Sequence, residues 1–202
     1  MKHKFFAAAL FCALVPAAFA QGVILRGGMN FAKAVTDPKP TSPSNREYRQ
    51  GLNGALLGEF GDGPMRLQLG AGYENKRMHL TGAGGGDIRL DYMTIPLMVS
   101  LGTNMPEGLN GPRLFVNLGI EPAFLLNSDY AGNSFTFTFN NAEQFDFNLR
   151  AETGIELPFS YSGPAGILGL GYTYGLTDAN SDCDTWHNDA FHLFLGIKIG
   201  TL

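Results

Sequence analysis

Long segments in which apolar and polar side chains alternate with a period of two constrain the fold of this chain most strongly. The clearest of them is 145–157. Its apolar face consists of Phe145, Phe147, Leu149, Ala151, Ile155 and Leu157. Its polar face consists of Asp146, Asn148, Arg150, Glu152 and Glu156. Because successive side chains of a β-strand point to opposite faces, this pattern predicts a strand with one apolar and one polar face.

Seven further segments show the same alternation, and they extend along the whole chain after residue 20. They are 22–33, 49–60, 65–74, 89–101, 114–126, 165–177 and 192–200. A strand that spans a membrane needs about 9–11 residues, whereas the mean strand of a soluble protein has only about 5–6. Eight long strands in succession therefore favour a membrane barrel over a soluble sandwich. In a membrane the sheet must close into a barrel, because the edges of an open sheet would leave backbone groups without hydrogen bonds in hydrocarbon.

The connections between these segments alternate between two kinds. Loops are predicted at 34–47, 81–87, 128–144 and 178–190, and turns at 61–64, 102–112 and 160–164. Outer-membrane barrels have short periplasmic turns and longer external loops. The pattern predicts an all-β fold, an eight-stranded antiparallel up-and-down transmembrane β-barrel whose mature N-terminus starts in the periplasm.

The polar faces combine charges of both signs with many of the 27 glycines. An eight-stranded barrel is just wide enough for its own side chains to fill, and buried charges need partners. We therefore predict that the apolar faces contact lipid and that the charges form a structural network in the lumen. A proton or substrate path is the alternative interpretation. The predicted network comprises Arg26, Glu59, Arg66, Glu74, Glu121, Arg150, Glu152, Glu156 and Lys198.

The first twenty residues have the features of a secretory signal peptide. Lys2 and Lys4 precede an apolar run at 5–15, and Ala18-Phe19-Ala20 is a typical cleavage pattern. We expect a signal peptide at 1–20 and a barrel domain at 21–202. A retained anchor is the alternative, but the run is shorter than the about 20 residues of a spanning helix. Cleavage would remove Cys12 and leave Cys183 without an internal disulfide partner.

Few residues indicate catalysis or metal binding. His79 and His187 are predicted in or near loops and His192 near the start of the last strand, without a serine at a telling spacing. One acidic loop has part of a calcium-loop spacing, but its sixth position is Cys183 instead of glycine. We predict neither catalytic residues nor a cofactor, and we keep this loop as a weak calcium candidate. Its ligands would be Asp178, Asn180, Asp182, Asp184 and Asp189.

Four short motifs resemble strands of the PorT-like outer-membrane β-barrel proteins of bacteria. They are YMTIPL at 92–97, LGIEPA at 118–123, LGYTYGLT at 170–177 and LFLGIKI at 193–199. The resemblance covers nearly all of the chain after residue 20 and implies an outer-membrane barrel. It implies no catalytic residue, because the family has no shared active-site motif. The name-giving member takes part in protein secretion.

These observations predict a non-enzymatic barrel of the outer membrane with a structural or interaction role, linked by the resemblance to secretion or surface assembly. Its expected partners are outer-membrane lipid, the barrel assembly machinery and a protein bound by the external loops. The net charge of −4 argues against nucleic acid. Three alternatives stay open: a membrane-embedded lipid-modifying enzyme, a small pore and a lipocalin-like soluble binder. The enzyme would need a histidine, a hydroxyl and an acid that converge on the lipid-facing rim.

Overall fold

A computed structural model describes residues 20–37, 46–80, 86–103, 111–132, 144–160, 163–177 and 185–200. The predicted signal peptide, except for Ala20, and Cys183 lie outside these ranges. Among the residues within them, no helix has the length and apolar character needed to cross a membrane. The strands are β1 (Gly22–Asp37), β2 (Arg46–Phe60), β3 (Met65–Leu80), β4 (Gly86–Thr94), β5 (Leu97–Gly102), β6 (Arg113–Gly132), β7 (Phe145–Pro158), β8 (Ala165–Gly175) and β9 (Thr185–Gly200).

These strands form one closed antiparallel sheet. Strands that are neighbours in the chain pair with each other, except for β4 and β5. β1 pairs with β9 from Gly22↔Gly200 to Asp37↔Thr185, which closes the barrel. β4 and β5 both lie between β3 and β6 and follow one another in the same direction. They therefore count as one wall strand with a break, and the wall has eight strands. The predicted eight-stranded barrel is confirmed.

The break falls at Ile95–Pro96, because proline has no backbone N–H to donate to a neighbouring strand. The wall remains joined across it. The amide of Gly70 donates to the carbonyl of Pro96 at 3.3 Å, and the amide of Ile95 donates to the carbonyl of Pro122 at 2.8 Å.

The connections lie at two ends of the barrel. The turn end carries 61–64, 103–112 and 159–164, and the loop end carries 38–45, 81–85, 133–144 and 176–184. Gly61 and Gly63 in the first turn have φ values of 96° and 76°, a region that favours glycine because it has no Cβ.

Several strands extend further toward the loop end than the alternation predicts. β3 ends at Leu80 instead of 74, β6 ends at Gly132 instead of 126, and β9 begins at Thr185 instead of 192. The predicted loops 34–47, 81–87, 128–144 and 178–190 are therefore too long. The reason is that polar residues such as Arg77, Asp87 and Asp129 are exposed there. The outer face loses its apolar character, although the backbone ladder continues.

The two faces of the wall have opposite chemistry, as predicted. Leu168, Leu170, Leu193 and Ile197 are 43–58% exposed on the outer wall, whereas Arg150 and Glu152 are 7% and 3% exposed in the lumen. Aromatic pairs lie on the outer wall toward the loop end, with ring centroids 5.3 Å apart for Phe124 and Phe145. Aromatic side chains such as these suit a membrane interface. Tyr92, by contrast, is buried in the lumen.

Candidate functional site

The lumen is the candidate site, and at its turn end it holds an ionic cluster. The ammonium group of Lys198 lies 2.8 Å from Glu59 and 3.0 Å from Glu156. Arg66 approaches Glu59 at 2.9 Å, and Arg113 approaches Glu156 at 3.5 Å. Each of the two carboxylates thus contacts more than one cation, and this arrangement compensates charges that the wall removes from water.

An apolar layer lies next to this cluster. In β2 and β6 it is one inward-facing position further from the turn end, at Leu57 beyond Glu59 and at Phe115 beyond Arg113. Its buried side chains are Ile24, Leu57, Met98, Phe115, Ile167 and Phe194. The guanidinium of Arg26 lies 5.0 Å from the centre of the Phe194 ring and borders the layer on its other side. A cavity of about 10 Å³ remains among these residues, roughly the space of one water molecule.

A second ionic cluster occupies the middle of the barrel. Glu152 accepts hydrogen bonds from Arg26 at 2.7 Å, from Arg150 at 2.6 Å and from Asn117 at 3.0 Å. Arg150 also forms an ion pair with Glu121. These contacts join three strands, β1, β6 and β7, and the most distant pair, Arg26 and Glu152, is separated by 126 positions in the chain.

The loop-end half of the lumen combines polar residues with an apolar cap. Glu74 accepts a hydrogen bond from Asn30 at 3.0 Å. Lys76 lies 3.7 Å from Asp146 and 5.2 Å from the centre of the Tyr92 ring. The cap consists of Met78, Ile88, Leu90, Tyr92 and Ala123. Ionic and apolar layers thus alternate along the barrel axis.

All nine charged residues predicted for the network point into the lumen. Eight are buried, and the side chain of Arg66 is 11% exposed. Sequence reasoning missed Lys76, Arg113 and Asp146 as members. Asp146 had been placed on the polar face of its strand. Continuing segment 65–74 by two positions would have included Lys76, and beginning segment 114–126 one position earlier would have included Arg113.

His79 and His187 lie near loops, as predicted, because they are close to the loop-end termini of β3 and β9. His192 lies in the middle of β9 instead of near its start. His192 lies in the lumen, where its Nδ1 is 3.2 Å from the Asn53 amide and its Nε2 is 2.7 Å from the Thr173 hydroxyl. This places a hydroxyl beside a histidine, but on the lumen side of the wall, not on the lipid-facing rim that a lipid-modifying enzyme needs.

Two further hydrogen-bonded pairs of polar residues lie on the outer side of the wall. His79 Nδ1 is 2.6 Å from Asp87 Oδ1. Asp189 accepts a hydrogen bond from Tyr172 at 2.8 Å. Neither group contains a serine or threonine hydroxyl in contact with a histidine among the residues that the structure describes.

The calcium candidate is largely untested. Asp178, Asn180, Asp182 and Asp184 lie outside the described residues. Asp189 is buried in β9, with its backbone paired to Lys33 in β1 and Tyr174 in β8, so it is a strand residue rather than a loop residue. In the described ranges, no group of three or more histidine, cysteine, aspartate or glutamate side chains could hold a metal ion.

A closed antiparallel barrel with an apolar outer wall and a filled ionic lumen defines a class, the small outer-membrane β-barrel proteins of Gram-negative bacteria. The family model of the outer membrane protein β-barrel domain matches residues 19–181, and the chain belongs to this family. It is a protein of the outer membrane. No curated protein matches its sequence.

Solved structures with the same fold include three small barrels. OprG of Pseudomonas aeruginosa has a TM-score of 0.52 and 15% identity over 90% of this chain and 97% of its own. Neisserial surface protein A has a TM-score of 0.49 and 13% identity over 88% and 96%. Ail of Yersinia pestis has a TM-score of 0.46 and 13% identity over 89% and 99%. At these identities the likeness concerns the fold alone.

Proposed function

We propose that this barrel is a non-enzymatic interaction protein whose lumen is a structural plug and whose loop end recognises a partner at the cell surface. One observation carries the proposal: most lumen charges of the described residues are paired with one another. Glu152, for example, contacts two arginines and an asparagine that all belong to the wall. Groups satisfied in this way stabilise the barrel and leave little capacity to bind a ligand.

The filled lumen also argues against the alternatives. Open aqueous channels belong to barrels of about 16 strands, and here apolar layers separate the ionic ones. A lipocalin-like soluble binder would have its apolar face inside, whereas Leu25, Leu195 and Ile199 are 62–64% exposed on the outer wall. A lipid-modifying enzyme lacks support, because the histidine that contacts a hydroxyl, His192, is buried in the lumen.

Recognition is assigned to the segments between the strands at the loop end, that is, to the parts of the predicted loops 34–47, 128–144 and 178–190 that do not belong to strands. Segment 133–143 contains Phe135, Phe137 and Phe139 in alternation with threonine and asparagine. Aromatic residues are enriched in protein interfaces. The resemblance to PorT-like barrels supports a partner in secretion or surface assembly. Outer-membrane lipid and the barrel assembly machinery are the further partners of this proposal.

The test is complementation in a strain that lacks the gene, with the amount of protein secreted into the medium as the readout. The wild-type chain should restore secretion, whereas the triple variant Phe135→Ser, Phe137→Ser, Phe139→Ser should not. Asp62→Asn in the exposed first turn, outside the segments to which recognition is assigned, is the control and should restore it. Folding of each variant is checked by its faster migration in gels before boiling.

Two results would contradict the proposal. Full restoration by the triple variant would show that this loop recognises nothing required for secretion. Unchanged secretion in the deletion strain itself would remove the link to secretion. In that case a surface cross-linking experiment on intact cells, comparing the same variants, decides whether the loop has another partner.

A further inference from the structure

Three arginines lie directly opposite one another near the loop end. Arg49 of β2 pairs with Arg77 of β3, and Arg77 pairs with Arg89 of β4. Arg77 points outward, because its neighbours Lys76 and Met78 are buried in the lumen. Like charges directly opposite one another on neighbouring strands are destabilising. The arginine row therefore requires negative charge close to it.

The nearby carboxylates supply only part of that charge. Asp91 accepts hydrogen bonds from Tyr73 at 2.7 Å and from Arg89 at 3.2 Å, and it also binds the amide of Asn75. Asp87 lies 2.6 Å from His79 and 3.9 Å from Arg49.

Arg77, at the centre of the row, has no such carboxylate. Its Nε donates to the amide oxygen of Asn75 at 2.8 Å, and no carboxylate of the described residues lies within 4.0 Å of it. Asp129, paired in register with Arg89, is turned toward the amide of Asn127 at 3.0 Å. The central guanidinium and the half-exposed head groups of Arg49 and Arg89 are thus available to an external anion.

The height of the row matches the lipid head groups. On the outer face of β3 the apolar band runs from Met65 to Tyr73, and Arg77 follows four positions later. At about 3.3 Å per residue and a tilt of about 40°, Arg77 lies about 10 Å beyond Tyr73 along the membrane normal. Tyr73 is 41% exposed on the outer wall, and an aromatic side chain there suits the membrane interface, so the row lies where the polar head groups begin.

We propose that the arginine row Arg49–Arg77–Arg89 binds phosphate groups of the glycolipid in the outer leaflet. A guanidinium presents its donors as a planar fork that fits two oxygens of one phosphate, which an ammonium cannot do. Arg89 already uses Nε and Nη2 for the two oxygens of Asp91, both at 3.2 Å. Arg77 therefore supplies the main donors for a phosphate, and Arg49 and Arg89 add positive charge on either side of it. This inference is independent of the proposed loop partner, because it concerns the lipid-facing side of the barrel.

Native mass spectrometry of the folded chain in detergent tests the proposal. The probes are bisphosphorylated lipid A, the same lipid A after removal of its phosphates, and inorganic phosphate as a competitor. The test variant is Arg77→Gln with Arg89→Gln. The matched control is Lys33→Gln, which removes an outward cation of β1 that lies over the Tyr48 ring at 5.2 Å.

The wild-type chain should bind the phosphorylated lipid in preference to the dephosphorylated one. The double variant should lose about 25-fold in affinity for the phosphorylated lipid, because each arginine near a membrane surface contributes about fivefold. Its affinity for the dephosphorylated lipid should not change, and Lys33→Gln should stay within about twofold of the wild type in both. If the double variant does not fold, the single variant Arg77→Gln is used instead, and its affinity for the phosphorylated lipid should fall about fivefold.

Three results would overturn the proposal. The wild type could bind both lipids equally, or the folded glutamine variant could bind the phosphorylated lipid as the wild type does. Complete displacement of the lipid by inorganic phosphate at millimolar concentration would assign the row to soluble phosphate instead of lipid.

Discussion

Leu170 and Leu195 place single apolar side chains on the outer wall of β8 and β9, where they are 58% and 64% exposed. Leu170→Arg or Leu195→Arg should lower the free energy of unfolding by about 2–4 kcal/mol, because each puts a charge near the bilayer midplane. Urea unfolding in lipid vesicles measures the change. Leu157→Arg at the turn end is the control, with an expected loss of about 0–1 kcal/mol. Unchanged stability in both central variants would contradict the assignment of the faces.

Glu152 is the residue on which the central ionic cluster depends, since it compensates both Arg26 and Arg150. Glu152→Gln keeps the shape of the side chain but leaves two buried arginines with less negative charge. The expected loss is about 3–5 kcal/mol, the cost of breaking a buried ion pair. Asp62→Asn in the exposed first turn should stay within about 0.5 kcal/mol. A loss below 1 kcal/mol for Glu152→Gln, measured in the same vesicles, would show that the network contributes little.

Gly169 provides space for the apolar layer of the lumen. A Cβ at this position would lie 2.3 Å from the Phe194 ring, so Gly169→Ala should destabilise the barrel by about 1–3 kcal/mol through overpacking. Gly27→Ala on the outer wall is the control. Its Cβ would meet only the Asn53 carbonyl, at 3.8 Å, and the substitution should be neutral or slightly stabilising. Equal effects of the two alanines on urea unfolding would contradict a tightly filled lumen.

At the scale of single residues, sequence reasoning could predict which side of the wall a charge faces, because the period of two determines it. It could not predict which charges meet. Arg26 and Glu152 are far apart in the chain, and their contact depends on the stagger of strands around the closed barrel. The row of Arg49, Arg77 and Arg89 was missed for the same reason, since it exists only in the register between three strands.

At the scale of elements, alternation predicts strands well where one face contacts lipid and poorly beyond that band. In β7 lipid covers most of the outer face, and the predicted 145–157 agrees with Phe145–Pro158 within one residue. In β3 the apolar outer residues end at Tyr73, but backbone pairing continues to Leu80. Hydrogen bonding between strands, which leaves no pattern in the side chains, determines that extension.

The same boundary can be measured by labelling cysteines on β3 in a Cys183→Ser background. A water-soluble maleimide added to vesicles should label Arg77→Cys and should not label Leu67→Cys, although the native Leu67 side chain is 42% exposed in the isolated barrel. Lipid covers position 67, whereas position 77 lies in the head-group layer. Both cysteines should react after unfolding, which serves as the control. Equal labelling in vesicles would mean that the apolar band of β3 does not mark the hydrocarbon region.

At the scale of the whole molecule, closure and filling depend on each other. Pairing of β1 with β9 removes every edge of the sheet from lipid. It also fixes a narrow lumen in which the charges of all strands are brought within reach of one another. Two ionic clusters and two apolar layers then occupy the axis in alternation. An ion that crosses the barrel would have to lose its water at each apolar layer and displace native ion pairs at each cluster.

The purified barrel should therefore produce no unitary conductance steps in planar lipid bilayers at neutral pH, whereas a 16-stranded porin in the same bilayers should. Phe194→Ala should remain closed as well, because it opens only one apolar layer, while the cluster around Glu152 and the cap of Met78, Ile88 and Tyr92 stay in place. Reproducible steps from the wild-type chain, of constant size and with a linear dependence on voltage, would contradict the filled lumen. Steps from Phe194→Ala alone would instead show that a single apolar layer keeps the barrel closed.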